Sequence, residues 1–398
     1  MRILVLTFYF RPDLSAGSFR ATALADALVE QGGRDVEVDV LTTLPNRYHS
    51  FSAEASADES SGNIRIRRFQ IPSHHSGVVD QSRAFASYAR EVIGATRGRH
   101  YDVVFATSSR LMTAALGALV ANRVSTPLYL DIRDIFTDTM QDILAGRALR
   151  HLVPFFKKIE RYTVRSSERI NLVSGGFEEH FRALAPDREF TVYTNGIDEE
   201  FLDISFANPI PNPRPVILYA GNIGEGQGLH RVLPEAARQL VGRAKFLVIG
   251  DGGARIKLER AILLSGIDNI EVVPPVPRAQ LLQFYKKADV LFLHLNDYDA
   301  FRRVLPSKIF EYAATGKPIL AGVGGYAREF ISKNISNAVV FNPCDPRGLM
   351  EGFGKLKHGL VTRKDFIRRF SRTRIMADMA RDILSLSQKA KKTVDRPE

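Results

Sequence analysis

Short β-rich apolar runs alternate with helical patterns along almost the whole chain, and the alternation stops once and restarts. Arg2–Thr7 reads as a first strand, followed by a Gly-containing loop and a helix from about Ser18 to Gln31. Val36–Leu41, Ile64–Phe69, Val103–Ala106, Leu128–Ile132, Ile170–Val173 and Phe190–Tyr193 continue the strand series, with helical stretches near Gln81–Thr96, Leu111–Asn122, Ala148–Ser166 and Gly176–Leu184. Buried strands spaced by helices mean βαβ units and a mainly parallel sheet. Four prolines then fall within the seven residues Pro209–Pro215, which resist both helix and central strand and read as an interdomain linker. Beyond it the strands resume at Val216–Ala220, Lys245–Ile249, Ile270–Val273, Val290–Leu293, Ile319–Gly322 and Val339–Phe341. The expectation is an α/β protein of two Rossmann-like domains, residues 1–207 and 208–370. A basic helix over 371–398 follows and can cross back to the first domain.

Composition narrows the classes. The chain has 398 residues, enough for two or three domains, and 45% hydrophobic residues, which excludes a wholly disordered chain. Its single cysteine, Cys344, rules out an intramolecular disulfide and a cysteine-based zinc site, and favours a reducing compartment. The nine histidines show no metal-ligand spacing; His74 and His75 are adjacent and near a loop, solvated or facing an acceptor. No metal and no organic cofactor are expected. The longest apolar runs, Leu111–Ala121 and Leu152–Phe156, are too short to span a bilayer. The start, MRILVLTFYF, reads as a strand and not as a signal peptide. The expected location is the cytosol or the cytosolic face of a membrane. A net charge of +11 favours an anionic partner: nucleic acid, an anionic membrane surface or a phosphate-bearing ligand.

Each half opens with a strand that runs into a glycine-bearing loop and then a helix. The first loop spans Tyr9–Arg20 with Gly17; the second is Gly221-Asn222-Ile223-Gly224-Glu225-Gly226-Gln227-Gly228. Glycines let backbone N–H groups approach an anion, and a helix N-terminus adds a favourable dipole. Taken alone, the second loop is equally well an ordinary strand-to-helix turn. The strict G-x-G-x-x-G fingerprint is absent after Leu6, and no acidic residue ends the second strand, which argues against a dehydrogenase. A further loop, Gly250-Asp251-Gly252-Gly253, follows the next strand of the same half, so two glycine turns point into one crevice. In Leu305–Ile319, Pro306 suits the first turn of a helix that Gly316 and Pro318 end. Lys308 and Glu311 then share a face. They fit a diphosphate and the vicinal hydroxyls of a ribose, or they form an ordinary i,i+3 salt bridge worth under about 0.5 kcal/mol.

GNIGEGQGL, IGDGG, ADVLFLHL and LPSKIFEYAATGKPIL, in that order, resemble the donor domain of GT-B glycosyltransferases of family 4, and FYFRPDLSAGSFR, LDIRDIFTD, LVSGG and YTNGID resemble the amino half of the same family. The resemblance covers nearly the whole chain. It is closest to the subgroup that assembles bacterial O-antigen and capsule repeat units, including the proposed N-acetyl-L-fucosamine transferases. It implies a GT-B fold with a donor/acceptor cleft between the two domains, and Glu311 matches the second glutamate of the E-x7-E motif, which typically holds the ribose. The first glutamate would fall at position 303, which is Arg303, a further candidate for diphosphate contact. Where many relatives grip the diphosphate with an Arg and a Lys, this chain has Asn222 and Gln227. The expected donor-binding set is Gly17, Gly221, Asn222, Gly224, Gln227, Gly250, Ser307, Lys308 and Glu311. Arg133-Asp134 stand where many relatives have His-Asp, which excludes a catalytic His there and leaves Arg133 and Asp134 as the expected catalytic pair.

The family retains anomeric configuration and needs no metal. The resemblance therefore implies transfer from a nucleotide-diphosphate sugar, with UDP the expected nucleotide, to a polyprenyl-diphosphate-linked glycan, in the cytoplasm and peripheral on the inner face of the plasma membrane. The sugar can be an N-acetylated deoxyhexosamine. A same-fold alternative is a nucleotide-sugar 2-epimerase; a different class is a non-catalytic basic nucleic-acid-binding or scaffold protein. No RRM, zinc-finger or helix-turn-helix pattern is present, so no nucleic acid is expected. The segment Arg147–Arg169 holds seven Lys or Arg and two acids, interleaved with Phe155, Phe156 and other apolar residues. Lys157, Lys158, Arg161, Phe155 and Phe156 are the candidate membrane-surface residues; the segment reads equally well as a packed helix with a solvated basic face.

Overall fold

The computed structural model describes residues 1–13, 15–46, 54–72, 78–108, 111–138, 151–202, 204–208, 210 and 212–394. They form two compact units: Met1–Asn195 with Arg372–Glu398, and Gly196–Ser371.

The first unit contains β1 (Arg2–Leu6), α1 (Ala16–Gly32), β2 (Glu37–Thr43), β3 (Asp58–Ser61), β4 (Ile64–Phe69), α2 (Val78–Thr96), β5 (Val103–Thr107), α3 (Leu111–Arg123), β6 (Leu128–Ile132), α4 (Val153–Arg165), β7 (Arg169–Leu172), α5 (Glu178–Leu184) and β8 (Glu189–Thr191). The strands make one sheet in the order β3-β4-β2-β1-β5-β6-β7-β8. All its pairings are parallel except β3 with β4. Ile3, Val5, Val104 and Leu130 have no exposed surface, as expected when helices cover both faces of a parallel sheet. The antiparallel edge strand was not predicted: DESS carries no apolar alternation, and it forms through the turn at Gly62, whose φ is +56°.

The second unit contains β9 (Val216–Ala220), α6 (Leu229–Gln239), β10 (Lys245–Ile249), α7 (Arg255–Ser265), β11 (Ile270–Val273), α8 (Arg278–Lys287), β12 (Val290–His294), α9 (Lys308–Ala314), β13 (Ile319–Gly322), α10 (Gly325–Asn334), β14 (Ala338–Phe341), α11 (Pro346–Lys355) and α12 (Lys364–Arg369). Its wholly parallel sheet runs β11-β10-β9-β12-β13-β14. The order reverses beside β9, the switch point of a doubly wound sheet, where ligands bind at strand C-termini. Leu233, Ala236 and Leu258 pack α6 and α7 onto Ile217, Phe246 and Phe292 of the sheet.

The chain changes unit at Asn195–Gly196, twelve residues before the expected boundary at 207/208. Ile197 is fully buried, its N–H donates to Phe370 O (2.7 Å), and Phe201 stacks between Phe206 (5.8 Å) and Tyr285 (5.9 Å). The described part of the proline segment is docked too: Asn212 donates to Lys287 O (2.7 Å) and Asp289 (2.6 Å). Where a basic helix is expected over 371–398, the described residues hold one over Arg372–Val394. α12 ends before Phe370, and α13 (Arg372–Val394) belongs to the first unit, where Asp382 accepts from Tyr129 Oη (2.9 Å) and pairs with Arg169.

Candidate functional site

In the second unit both glycine turns lie at strand C-termini, β9 and β10, and they interlock. Ile223 N–H donates to Asp251 O (2.8 Å), and Ala254 N–H donates to Ile223 O (2.9 Å). Gly221 (φ +141°) and Gly250 (φ +150°) are needed there: a Cβ on Gly250 would run into Gly221 O, and one on Gly221 would run into the Lys308 ammonium. The two turns are therefore one structure. Asn222 and Gln227 fix its shape from within. Asn222 Nδ2 donates to Gln227 Oε1 (2.9 Å), which also accepts from Gly224 N–H (3.2 Å). Asn296, just after β12, clamps the outer rim by donating to Glu225 O (2.8 Å) while its own N–H reaches Gly226 O (2.8 Å).

His294 is fully buried under this loop. Its Nε2 accepts from Cys344 N–H (2.9 Å), so Nδ1 is the protonated nitrogen and donates to Gln227 O (2.6 Å). Burial pushes its pKa down to about 4. The imidazole is neutral and structural.

Lys308 opens α9, with its ammonium 5.3 Å from the centroid of the Tyr219 ring and against Gly221. A cation thus sits over the interlocked turns. Ser307 caps α9 without a side-chain capping bond. Arg303 is exposed at the end of the 3-10 turn Asp299–Arg303. One turn into α9, Glu311 accepts from Arg278 Nη1 on Oε1 (3.0 Å) and from Tyr285 Oη on Oε2 (3.3 Å). Arg278 also donates to Asp198 (3.0 Å) and pairs with Glu200. Burial alone would lower the guanidinium's pKa, but Glu311, Glu200 and Asp198 outweigh it and the net shift is upward. Arg278 and Tyr285 are site residues that no sequence pattern marks. An Arg after Val276-Pro277 at the start of a helix carries no motif, and Glu200 and Glu311 reach it only through the fold.

In the first unit Ser15 caps α1 by accepting from Ser18 N–H (3.2 Å), so Gly17 lies in the first helical turn. Arg133, after β6, donates to Ala16 O (3.3 Å), and its guanidinium lies 3.4 Å from where a Gly17 Cβ would stand. Behind it Arg20 and Asp131 make a buried two-pronged pair at 2.9 Å. Desolvation and the repulsion of Arg20 and Arg372 bring the Arg133 pKa down to about 10, against the pull of Asp131 and Asp134. The Asp134 carboxyl is exposed to solvent, and crowding by the surrounding protein still raises it to about 6 against the pull of Arg133. Gly17, Arg133 and Asp134 thus form one group, as the glycine turns, Lys308 and Glu311 form another.

Among the described residues the helix of the expected basic segment, read as Ala148–Ser166 from the sequence, covers Val153–Arg165; Arg147, Arg150 and the adjacent His74 and His75 lie outside the described residues. α4 buries Val153, Glu160, Thr163 and Val164 and leaves Lys157, Lys158, Arg161 and Phe155 exposed, Phe155 at 59%. Phe156 is half-buried and packs edge-on against Phe136, with ring centroids 5.6 Å apart. Buried Glu160 accepts from Thr137 Oγ1 (2.9 Å) and lies 3.1 Å from His180 Nε2, so one side of the helix is packed and the other is open. Among the described residues no His, Cys, Asp and Glu cluster could hold a metal, and no helix is long and apolar enough to cross a membrane.

Residues 17–196 match the glycosyl transferase 4-like domain and residues 200–371 match the glycosyl transferases group 1. A curated relative is WcaI of Escherichia coli (strain K12), assigned by name to colanic acid biosynthesis glycosyl transfer. It is 27% identical over 180 residues, which is 44% of either chain, so the alignment spans less than half of that relative. Among solved structures, Anabaena Alr3699/HepE in complex with UDP is 15% identical over 99% of both chains with a TM-score of 0.59. The α,α-trehalose 6-phosphate synthase of Burkholderia multivorans is 12% identical over 100% of this chain and 98% of its own, with a TM-score of 0.71. With a 4-like domain on the first sheet and a group 1 domain on the second, the chain belongs to the GT-B glycosyltransferases.

Proposed function

We propose that this protein transfers a sugar, with retention of anomeric configuration, from a uridine-diphosphate donor to a polyprenyl-diphosphate-linked glycan in polysaccharide or lipopolysaccharide assembly. The observation that carries the reading is the Lys308 ammonium seated over the interlocked Gly221 and Gly250 turns, with Glu311 one turn further along α9. A diphosphate there meets backbone N–H groups and a cation, and a ribose meets a carboxylate that can accept from both of its hydroxyls. The UDP bound to HepE and the colanic acid assignment of WcaI support the choice of nucleotide and pathway class. The transferred sugar is an N-acetylated deoxyhexosamine in this reading.

The bond that breaks joins the anomeric carbon to the β-phosphate oxygen, and the acceptor hydroxyl attacks on the face the phosphate leaves. The departing phosphate takes the hydroxyl proton, so no pair of carboxylates and no metal is needed. What the chain supplies is charge stabilisation and orientation: Lys308 and the glycine-turn N–H groups toward the phosphates, Glu311 toward the ribose. Within the first unit Arg133 and Asp134 are the catalytic pair of this reading, and the open face of α4 rests on the inner membrane surface where the lipid-linked acceptor lies.

The test is transfer of radiolabel from a panel of UDP-sugars to lipid-linked acceptors extracted with organic solvent. Label must move into the lipid phase with one donor, in the presence of a chelator. Label that stays with the nucleotide sugar, converted to its 2-epimer, would move the assignment to the same-fold epimerases.

A further inference from the structure

Resting on the reading of Glu311 as the ribose acceptor, we infer that Arg278 is its positioning residue: it holds the carboxylate in the one orientation that leaves two acceptor sites for vicinal hydroxyls. A carboxylate has about four lone-pair sites. Arg278 Nη1 occupies one on Oε1 at 3.0 Å and the buried Tyr285 hydroxyl one on Oε2 at 3.3 Å, so each oxygen keeps one. A free Glu side chain rotates about three bonds; this one is held at both oxygens and is only 14% exposed.

Arg278 is itself over-determined, which is what a positioning group requires. Its Nη2 donates to Asp198 Oδ2 at 3.0 Å, its Nε pairs with Glu200, and the guanidinium lies 4.9 Å from the Phe201 ring centroid. Three carboxylates surround this one cation, and only a planar fork with several donors can serve them at once. The same arginine therefore ties α9 to the segment Asp198–Phe201, just after the chain enters the second unit.

The experiment compares affinities for UDP and for 2′,3′-dideoxy-UDP by calorimetry, in the full chain. The wild type should prefer UDP on the order of tenfold or more, the scale of hydrogen bonds to a charged group. In Arg278→Ala the preference should fall toward one while the diphosphate contribution, read as UDP against uridine, stays. Arg278→Lys keeps the charge without the fork and should recover only part of the preference. Tyr285→Phe should reduce the preference without abolishing it, which guards against a variant that fails to fold. A folded Arg278→Ala that keeps the full preference overturns the inference. A wild type with no preference overturns Glu311 as the ribose acceptor, and a wild type that binds neither compound overturns the proposed function itself.

Discussion

Replacing Lys308 by Ala separates phosphate binding from everything else the site does. Asn222 and Gln227 are spent on one another inside the loop, so the cation at the first glycine turn is the Lys308 ammonium, which lies against Gly221 and 5.3 Å from the Tyr219 ring centroid, while Arg255 Nη1 donates to Gly250 O (3.3 Å) in the second. A charge-assisted hydrogen bond to phosphate contributes about 1.5–3 kcal/mol. At roughly 4 Å and an effective dielectric of about 20, the Coulomb attraction of one unit pair is about 4 kcal/mol, an upper bound. The loss for UDP is thus expected at about 2–3 kcal/mol, or about 30–150-fold in Kd. Uridine carries no phosphate, so its affinity should move by less than about 0.5 kcal/mol. The cation–ring contact removed at the same time is worth about 0.5–1 kcal/mol, so the fold should survive with a slightly lower melting temperature. Titration calorimetry with UDP, UMP and uridine gives the ladder directly. Equal losses for UDP and uridine would refute the reasoning, because they would mean that Lys308 supports the loop or the base and leaves the phosphates to other groups.

Three further outcomes are expected. Gly250→Ala puts a methyl group onto Gly221 O at a φ of +150°, which should cost about 1–3 kcal/mol in thermal unfolding and weaken UDP binding as well; unchanged melting would mean that the two turns move independently. Asp134 has a carboxyl raised to about 6, so between about pH 4 and pH 6 the folded chain keeps a proton that the unfolded chain has lost. Ionising it counts against the folded state, so Asp134→Asn should gain stability relative to wild type as pH rises through that window and hold the gain above it; a difference flat with pH would contradict the shift. Changing Lys157, Lys158 and Arg161 together to Glu should cut binding to anionic liposomes by at least about 3 kcal/mol, at about 1 kcal/mol per charge, and spare transfer to a short water-borne acceptor. A triple variant that still sediments with the liposomes would make α4 an ordinary packed helix.

The parts of this molecule that could be read from sequence are those in which local chemistry and global fold ask for the same residue. The strand at Val216–Ala220 is apolar because both faces are covered, and the glycines that follow are fixed by close approach of backbone and Lys308, so both announce themselves. Pro306, Gly316 and Pro318 bracket α9 for the same reason, which is why Lys308 and Glu311 could be placed on one helix face. The boundary expected at 207/208, where proline density reads as a linker, lies at 195/196. Burial of Ile197, Phe201 and Phe206 decides the boundary, and a single aromatic side chain carries no sign of which unit will bury it. The environment of Phe156 was hidden for a related reason. One helical step separates it from Phe155, and only the position of Phe136, on a segment outside the helix, half-covers one ring and leaves the other open. Arg278 is the sharpest instance. Its partners Asp198, Glu200 and Glu311 lie 80, 78 and 33 residues away in sequence, so the group that orients the ribose acceptor leaves no local pattern at all. Where a site is built by long-range pairing of charges, the motif marks the group that meets the substrate, and the group that holds it is visible only in three dimensions.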